Sequence, residues 1–425
     1  MLPLYSKFKK NMYKRTIDYK WSFRECDTKE LTHCYHSYPA MMIPQVVREL
    51  LNQYQPIKGA KLLFDPYMGS GTSLVEANIK GIDAIGTDLN PLARFMARVK
   101  TTHYNEKLIE DTFYDIQSNL IFYNSSNVID RDFSRISNYS YWYTEENLLK
   151  LSYISQLINQ CNDEGCRDFF NLILSEVVRE VSFTRNGEFK RFRMTESMLK
   201  RFNPDPFKLF EMKANRNMKG LHSFNSISSN ARSTICDFNS VDGIPNDILP
   251  NNSVDMIITS PPYGDSRTTV AYGQFSRWSN EWFGFSEAKN LDSVLMGGIK
   301  HKEESFKTES ISSELEMIKS EDASRYADVT AFLSDYYKSI CNVAKVVRDG
   351  GIVCYVVGNR TVKGIQIPLD YFTVEMFIKM GYKHIDTIVR EIPNKRMPSK
   401  TSPTNKAGAK VGTMTNEYIV IMEKG

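Results

Sequence analysis

The sequence lacks the paired cysteines that would indicate a zinc site or a disulfide framework. Its seven cysteines are odd in number and scattered, and no two of them form a CxxC pair. The six histidines are dispersed as well, so no metal site is predicted. Reduced thiols throughout are typical of a cytoplasmic protein.

Long apolar runs and a strong net charge are also missing. No window approaches ~18 uninterrupted apolar residues, so no membrane span is predicted, and the basic, aromatic N-terminus has no apolar core of signal-peptide length. The net charge of +4 over 425 residues does not by itself indicate a nucleic-acid partner. The charge is uneven, however, because residues 185–235 hold eleven Lys or Arg against four Asp or Glu.

What the sequence does have is an alternation of strands and helices at both ends of the chain. The stretch AKLLFDPYMGSGTSLVEANIKG predicts a strand, a tight loop and a helix, and IDAIGTDLN predicts the next strand. After a break of about 130 residues the pattern resumes, to give about seven strands, the last two joined as in a hairpin. This predicts an α/β fold, with a doubly wound, mostly parallel seven-stranded sheet whose last strand is antiparallel.

The break in the alternation divides the chain into three parts. Residues 1–104 hold an N-terminal segment and the first half of the α/β domain. Residues 105–230 form a largely helical, partly basic insertion. Residues 231–425 hold the second half of the α/β domain, with a further loop insertion at 264–325.

Residues suited to an adenosine-containing ligand follow three successive strands. Gly69 and Gly71 let the loop FDPYMGSGT turn tightly and approach a ligand at a helix N-terminus. Asp88 suits a ribose diol, and Asp237 with Phe238 suits an adenine. Each feature alone has a simpler alternative, a tight turn for the glycines and a helix cap for the aspartates. Because ligands of open α/β sheets bind at the carboxyl ends of the strands, the combination favours an adenosine-containing ligand.

A fourth strand, SVDMIITSPPY, runs directly into Ser260, Pro261, Pro262 and Tyr263. Two prolines remove two backbone donors and fix φ, so the carbonyls of Ser260 and Pro261 can serve as preoriented acceptors for an exocyclic amine. Tyr263 offers a flat face on which a planar base can stack. The alternative is a strand that simply ends in a proline turn.

Together, FDPYMGSGT, TDLN, CDF and TSPPY resemble the motifs of the S-adenosylmethionine-dependent DNA amino-methyltransferases. The TSPPY form looks most like their N4-cytosine branch, and HSYPAMMIP is similar to the family segment that closes over the methionine end of the cofactor. The resemblance covers parts of 36–100 and 231–425, and neither long insertion. It implies a Rossmann-like methyltransferase fold, S-adenosyl-L-methionine as cofactor and double-stranded DNA as substrate.

The resemblance also implies roles for individual positions. Those expected to bind the cofactor are Tyr38, Pro39, Phe64, Asp65, Gly69, Gly71 and Thr72 at its methionine part, Asp88 at the ribose, and Asp237 with Phe238 at the adenine. Those expected to hold the target base are Ser260, Pro261, Pro262 and Tyr263.

The implied reaction is direct methylation of a base amine. The base is flipped out of the duplex, its amine attacks the methyl group in line, and no covalent enzyme intermediate forms. Methylation at cytosine C5 would need a thiol, usually in a Pro-Cys pair, and no cysteine here follows a proline.

The resemblance therefore predicts a site-specific cytosine-N4 DNA methyltransferase of a prokaryotic restriction-modification system, nucleoid-associated, with a possible cognate restriction endonuclease. The alternatives are adenine N6 in DNA, a base amine in RNA, or a binding protein that has lost catalysis.

DNA contacts are expected mainly from the insertions, with 105–230 as the candidate target-recognition domain. Basic residues with interleaved aromatics are typical of phosphate binding, although a solvated helical face is the alternative. The candidates for phosphate contacts are Arg185, Lys190, Arg191, Arg193, Lys200 and Arg201 in that insertion. After the Ser-Pro-Pro-Tyr loop, Arg267, Tyr272, Gln274 and Arg277 could contact the flipped base or its orphaned partner. Lys395 and Arg396, in the last hairpin loop, could close on the DNA backbone.

Overall fold

The computed structural model describes residues 13–185, 187–265, 269–285, 289–299, 305–392 and 415–425, and the backbone of two short strands at 400–401 and 411–412. Three predicted DNA contacts, Arg267, Lys395 and Arg396, lie outside the described residues. Within these ranges, no helix is long and apolar enough to cross a membrane.

The described part of the chain is built on one eight-stranded sheet. The strands along the chain are β1 Thr16–Ile17, β2 Leu62–Asp65, β3 Asp83–Thr87, β4 Ser233–Cys236, β5 Val254–Thr259, β6 Val347–Val357, β7 Thr361–Val362, β8 Ile365–Gln366, β9 Tyr382–Glu391, β10 Lys400–Thr401, β11 Val411–Gly412 and β12 Asn416–Lys424. The sheet order is β1-β9-β12-β6-β5-β2-β3-β4, and the pairs β7–β8 and β10–β11 form two small separate ribbons.

The predicted fold class is confirmed. β12 runs antiparallel to both of its neighbours, β6 and β9, and every other neighbouring pair in the sheet is parallel. Within the main sheet, the one addition to the predicted seven strands is β1, which pairs with β9 through Thr16 and Ile17. A two-residue strand has no period that a sequence pattern could reveal.

The helices cover both faces of the sheet and form the insertion. They are α1 Pro44–Gln53, α2 Thr72–Ile79, α3 Pro91–Thr101, α4 Glu106–Leu120, α5 Tyr139–Trp142, α6 Glu145–Ile158, α7 Glu164–Glu180, α8 Glu196–Leu199, α9 Pro206–Ile227, α10 Tyr272–Trp282, α11 Leu291–Val294, α12 Ser312–Glu321, α13 Ala323–Val346 and α14 Leu369–Lys379. Three 3-10 helices lie at Tyr19–Ser22, Leu31–Cys34 and Ser125–Asn127.

The middle strand β5 shows why the core sits where it does. Met256, Ile257 and Ile258 are fully buried, as expected for a parallel strand covered by helices on both faces. β5 lies between β2 and β6, so the chain moves outward through β2, β3 and β4 and then returns to the other side of β2. The sheet therefore has its topological switch point between β2 and β5, where such sheets bind ligands.

The predicted insertion packs against the sheet domain. Helices α4, α6, α7 and α9 share one hydrophobic core with α3, which belongs to the sheet domain, and with α10, which follows the Ser-Pro-Pro-Tyr loop. Phe169 and Phe170 on α7 are completely buried in this core. We call α4, α6, α7, α9 and α10 the helical layer.

Candidate functional site

A cleft opens at the carboxyl ends of β2, β3, β4 and β5, at the switch point of the sheet. Its lining combines carboxylates, hydroxyls, amides, methionines and aromatic rings. The residues that border it include Tyr38, Pro39, Met41, Asp65, Met68, Gly69, Thr72, Asp88, Asn90, Phe238, Asn239, Ser260, Pro262, Tyr272 and Met296. Most of the predicted cofactor residues therefore meet in one place, together with part of the Ser-Pro-Pro-Tyr loop.

Asp65, at the end of β2, holds the loops around the cleft together. Its carboxylate accepts hydrogen bonds from the hydroxyls of Ser73 on α2 and Thr259 on β5, and from the backbone N–H of Tyr67 at 3.1 Å. Burial raises the pKa of Asp65 to about 6, although these hydrogen bonds oppose the rise. The carboxylate thus joins the ends of two neighbouring strands to the first turn of α2.

Asp88 follows β3 and also borders the cleft. One carboxylate oxygen accepts the N–H of Gly69 at 3.0 Å, and the other accepts the N–H of Asn90 at 2.8 Å. Burial raises the pKa of Asp88 to about 6. Each carboxylate oxygen can accept a second hydrogen bond, so Asp88 can still bind the two hydroxyls of a diol.

The two glycines of the β2–α2 loop serve different needs. Gly69 has φ +48° and borders the cleft, where it faces the ring of Tyr38. Gly71 has φ +80° and does not border the cleft; a Cβ there would lie 2.8 Å from Cβ of Ala97 on α3. Gly71 therefore permits the turn and the close packing of α3.

Tyr38 forms a wall of the cleft together with the helical layer. It is almost fully buried, and its hydroxyl accepts a hydrogen bond from Asn90 Nδ2 at 2.9 Å. Its ring lies 5.8 Å from that of Tyr272 and 6.0 Å from that of Phe275, both on α10. Tyr272, which we expected to contact a flipped base, thus borders the same cleft as Tyr38.

The end of β4 contributes an aromatic ring. Phe238 borders the cleft, and the buried Phe64 supports it at 6.2 Å between ring centroids. Asp237 is exposed and does not border the cleft. The predicted contact of Asp237 with adenine stays a prediction, and Phe64 acts on the cleft through Phe238.

The Ser-Pro-Pro-Tyr loop lies directly beyond β5. Ser260 and Pro262 border the cleft, whereas Tyr263 borders a second, small cavity together with Phe332 and Arg360. The Ser260 hydroxyl lies 3.2 Å from the Tyr263 hydroxyl, which donates a hydrogen bond to Glu417 Oε1 at 3.0 Å. Burial, together with the Glu417 charge, raises the pKa of Tyr263 well above its ordinary value, so this hydroxyl keeps its proton.

Several of the predicted DNA contacts are engaged within the protein. The guanidinium of Arg191 lies 4.8 Å from the ring centroid of Trp278, and that of Arg193 lies 4.3 Å from that of Tyr141. Arg277 pairs with Glu281 on α10. Gln274 accepts the backbone N–H of Arg191 at 3.2 Å.

The remaining basic candidates are more open. Arg185 lies 3.6 Å from Glu188 and is half-buried, as is Lys190. Lys200 and Arg201 are exposed at the end of α8. Among the candidates that the structure describes, only this last pair combines the exposure and the charge that phosphate contacts require.

Some residues of the cleft carried no signal in the sequence. In the sequence, Asn90 is typical only of a helix cap, and it does cap α3. Its side-chain amide also donates hydrogen bonds to the hydroxyls of Tyr38 and Ser276. Asn239 could have been suspected from its place beside Asp237 and Phe238. Met296 lies in a poorly patterned insertion, so no periodicity could assign it to the cleft.

The cleft fits an adenosine-containing cofactor. Asp88 presents a carboxylate for a diol, Phe238 an aromatic face for an adenine, and the N-terminus of α2 carries the positive end of its helix dipole. A sheet with this strand order and such a cleft at its switch point defines a Rossmann-like methyltransferase.

Comparison with known proteins narrows the class further. The chain is 38% identical over 422 residues to the type II methyltransferase M.MvaI of Kocuria varians, and the match covers 94% of this chain and 93% of that protein. It is 25% identical over 179 residues to the type II methyltransferase M.BsoBI of Geobacillus stearothermophilus, which covers 42% of this chain and 34% of that one. The chain belongs to the type II DNA methyltransferase family.

Two further comparisons add nothing to this assignment. No family model matches the chain. Among solved structures, the rRNA methyltransferase aviRa of Streptomyces viridochromogenes is similar at a TM-score of 0.34 and 9% identity, over 95% of this chain and 92% of that one. A likeness this low carries no argument.

Proposed function

We propose that this DNA methyltransferase transfers the methyl group of S-adenosylmethionine to the exocyclic N4 amine of cytosine in duplex DNA. The methyl donor is S-adenosylmethionine, which presents a methyl group on a positively charged sulfur to an attacking nitrogen. The choice of cytosine N4 is the finer part of the proposal.

The observation that carries the proposal is the position of Ser260. It lies one residue beyond β5, borders the cofactor cleft and is followed by two prolines. A neutral hydroxyl and a proline-fixed carbonyl can accept the two hydrogens of an amine without placing a negative charge beside the base. An acidic residue or Asn at this position is more frequent in the adenine enzymes that the motif resembles.

The roles of the remaining residues follow from their places in the cleft. Asp88 binds the ribose hydroxyls, Phe238 lies against the adenine, and Tyr38 closes the methionine end. The base leaves the duplex stack at a cost of a few kcal/mol. The ring of Tyr263, which borders the second, small cavity and not the cleft, is proposed to support it on the strength of the motif resemblance. Catalysis then depends chiefly on holding the amine in line with the methyl group.

The exposed pair Lys200 and Arg201 contributes to phosphate binding, which anchors the helical layer on the duplex. A restriction endonuclease that cuts the same sequence when it is unmethylated is the expected cellular partner.

The test identifies the methylated base. The protein is incubated with S-adenosylmethionine labelled in its methyl group and with DNA of mixed sequence, the DNA is digested to nucleosides, and the products are separated by mass spectrometry. We expect labelled N4-methylcytosine. Labelled N6-methyladenine without N4-methylcytosine would show that the finer proposal is wrong and would favour the adenine alternative.

A pair of serine variants tests the proposed role of Ser260. Ser260→Ala removes an acceptor at the cleft and should slow methyl transfer by ~10-fold or more, because a lost hydrogen bond leaves the amine unsatisfied. Ser253→Ala changes a half-buried serine directly before the same strand, at the end away from the cleft, where its hydroxyl donates to the Pro250 carbonyl, and it should leave the rate unchanged. Equal rates for the two variants would contradict the role of Ser260.

A further inference from the structure

β9 and β12, neighbouring strands of the sheet, carry a buried ion pair that contacts the Ser-Pro-Pro-Tyr loop. Glu417 on β12 lies directly opposite Arg390 on β9 in the register of the sheet, and their side chains pair. Arg390 is only 4% exposed and also donates from Nε to the carbonyl of Trp21 at 2.9 Å. From the structure we infer that Glu417 is a positioning residue, which acts through Tyr263 to orient the hydroxyl of Ser260.

The side chains of Glu417, Tyr263 and Ser260 form a chain of contacts, and the hydrogens that each group carries determine which group donates in each contact. A carboxylate has no hydrogen to give, so Glu417 can only accept, and it accepts the Tyr263 hydroxyl at 3.0 Å. Tyr263 thereby uses its single hydrogen. In the 3.2 Å contact between Ser260 and Tyr263, the donor must then be Ser260.

The consequence is that Ser260 presents only lone pairs to the cleft. Its one hydrogen points away towards Tyr263, so its oxygen can accept a hydrogen bond from a base but cannot donate one. An exocyclic amine, which offers N–H hydrogens, matches this arrangement. A carbonyl oxygen at the same place on the ring, as in uracil or thymine, has no hydrogen to donate, so its lone pairs would face those of the Ser260 oxygen without a hydrogen bond. The ion pair thus contributes to the selection of an amine as the target.

Arg390 determines the direction of the hydrogen bonds that run from Ser260 through Tyr263 to Glu417. Its guanidinium donates to Glu417 Oε2, while Tyr263 donates to Oε1. Since Arg390 has no acceptor, it requires an oxygen from residue 417. A glutamine at 417 would therefore turn its amide oxygen to Arg390 and its NH₂ to Tyr263. Tyr263 would then donate to Ser260, and the Ser260 hydrogen would point into the cleft.

This inference rests on the proposed role of Ser260, and it makes an unusual prediction for Glu417→Gln. The variant has almost the same shape as the native protein, yet it should slow single-turnover methyl transfer by ~10-fold or more, because a donor now faces the amine. Tyr263→Phe keeps the ring and the ion pair but frees the Ser260 hydroxyl to rotate, so it should slow transfer less. Cofactor affinity should stay within about twofold of the native value in both.

Two controls separate orientation from a general structural effect. Glu423→Gln makes the same chemical change on the same strand, away from the loop, and should leave the rate unchanged. In a Ser260→Ala background, neither Glu417→Gln nor Tyr263→Phe should slow transfer further, because no hydroxyl is left to orient.

The outcomes are decisive in either direction. Additive losses in the Ser260→Ala background, or a parallel loss of cofactor affinity, would overturn the inference. If Glu417→Gln fails to fold, Tyr263→Phe alone still decides it, since its effect must vanish in the Ser260→Ala background. The proposed function is tested separately, by identifying the base that the native protein methylates. A product at adenine N6 would refute cytosine as the target and leave this inference standing, because both targets are amines.

Discussion

At the scale of single residues, Asp65 and Asp88 share a cleft but have different partners. Asp65 accepts hydrogen bonds from two hydroxyls and a backbone N–H, which join β2, β5 and α2, so it keeps fewer lone pairs for a ligand than Asp88 does. Asp88 accepts two backbone N–H groups and keeps further lone pairs for a ligand. Burial raises the pKa of each to about 6. Asp88 is therefore expected to affect ligand affinity more than Asp65 does.

Asp88→Asn should weaken cofactor binding by at least ~10-fold, since hydrogen bonds to a charged group contribute ~1.5–3 kcal/mol. The native affinity should fall as the pH is lowered through about 6, where Asp88 gains a proton, and this fall should be smaller in the variant. Titration calorimetry between pH 5.5 and 8 measures both effects. Asp83→Asn, at the other end of β3, is the matched control.

The sign of the accompanying stability change distinguishes this effect from unfolding. The pKa of Asp88 is raised from 3.8 to about 6 in the folded chain, so the folded protein takes up a proton before the unfolded chain does. This titration favours folding as the pH falls from about 6 towards 4. A loss of affinity at pH 5.5 that was accompanied by a lower melting temperature would contradict the assignment to Asp88.

Gly71 is expected to be more sensitive than other glycines of the same backbone conformation. In Gly71→Ala, the new Cβ would lie 2.8 Å from Ala97 Cβ and would have φ +80°. Gly59→Ala has a similar φ of +74° but no atom within 4 Å. Gly59→Ala should cost ~1 kcal/mol of unfolding free energy for the backbone, and Gly71→Ala a further ~1–3 kcal/mol for overpacking. Denaturant unfolding compares the two, and equal losses would show that α3 moves aside freely.

At the scale of elements, the segment that follows α7 contains two kinds of basic residue. Its first part contains a bridge between Thr184 and Arg193, and Arg191 and Arg193 lie against tryptophan and tyrosine rings of the protein. Its last part carries the exposed Lys200 and Arg201. A basic composition alone therefore overstates the charge available to DNA.

Replacing Lys200 and Arg201 together by Gln should weaken DNA binding equally for all sequences. The slope of log affinity against log salt concentration should fall in magnitude by about 2, because two phosphate contacts are lost. The matched control replaces Lys58 and Lys80, two exposed lysines that precede the amino ends of β2 and β3, and should leave the slope unchanged. Binding isotherms at several salt concentrations measure this, and equal slopes for the two double variants would exclude Lys200 and Arg201 from the interface.

At the scale of the whole molecule, the helical layer and the sheet domain are joined by a common core. Helix α3 belongs to the sheet domain by sequence but packs in the core of the helical layer, and Ser37 donates its N–H to Glu176 on α7 at 3.0 Å. Burial would raise the pKa of Glu176, but His36, Lys213 and Arg216 outweigh it and hold the pKa well below its ordinary value. The segment that leads into Tyr38 is thus anchored in the insertion.

This coupling predicts that both parts unfold together. In Trp21→Phe, the remaining tryptophans, at 142, 278 and 282, all lie in or against the helical layer, so fluorescence reports that layer alone. Circular dichroism reports helices throughout the chain. We expect the two denaturation curves to coincide. An earlier fluorescence transition would show that the helical layer unfolds independently, as a separate domain would.

The sequence by itself determined the sheet and the residues at its strand ends. The β2–α2 loop, Asp88, Phe238 and Ser260 could be placed at one edge because strand ends are marked by local patterns, and because parallel strands end on the same side. The tertiary structure alone decided which side chains meet there. Glu417 reaches Tyr263 across 154 positions, Arg191 stacks on a tryptophan of α10, and Gly71 makes room for Ala97. Such partners depend on how distant elements pack, and a local pattern in the sequence holds no record of that packing.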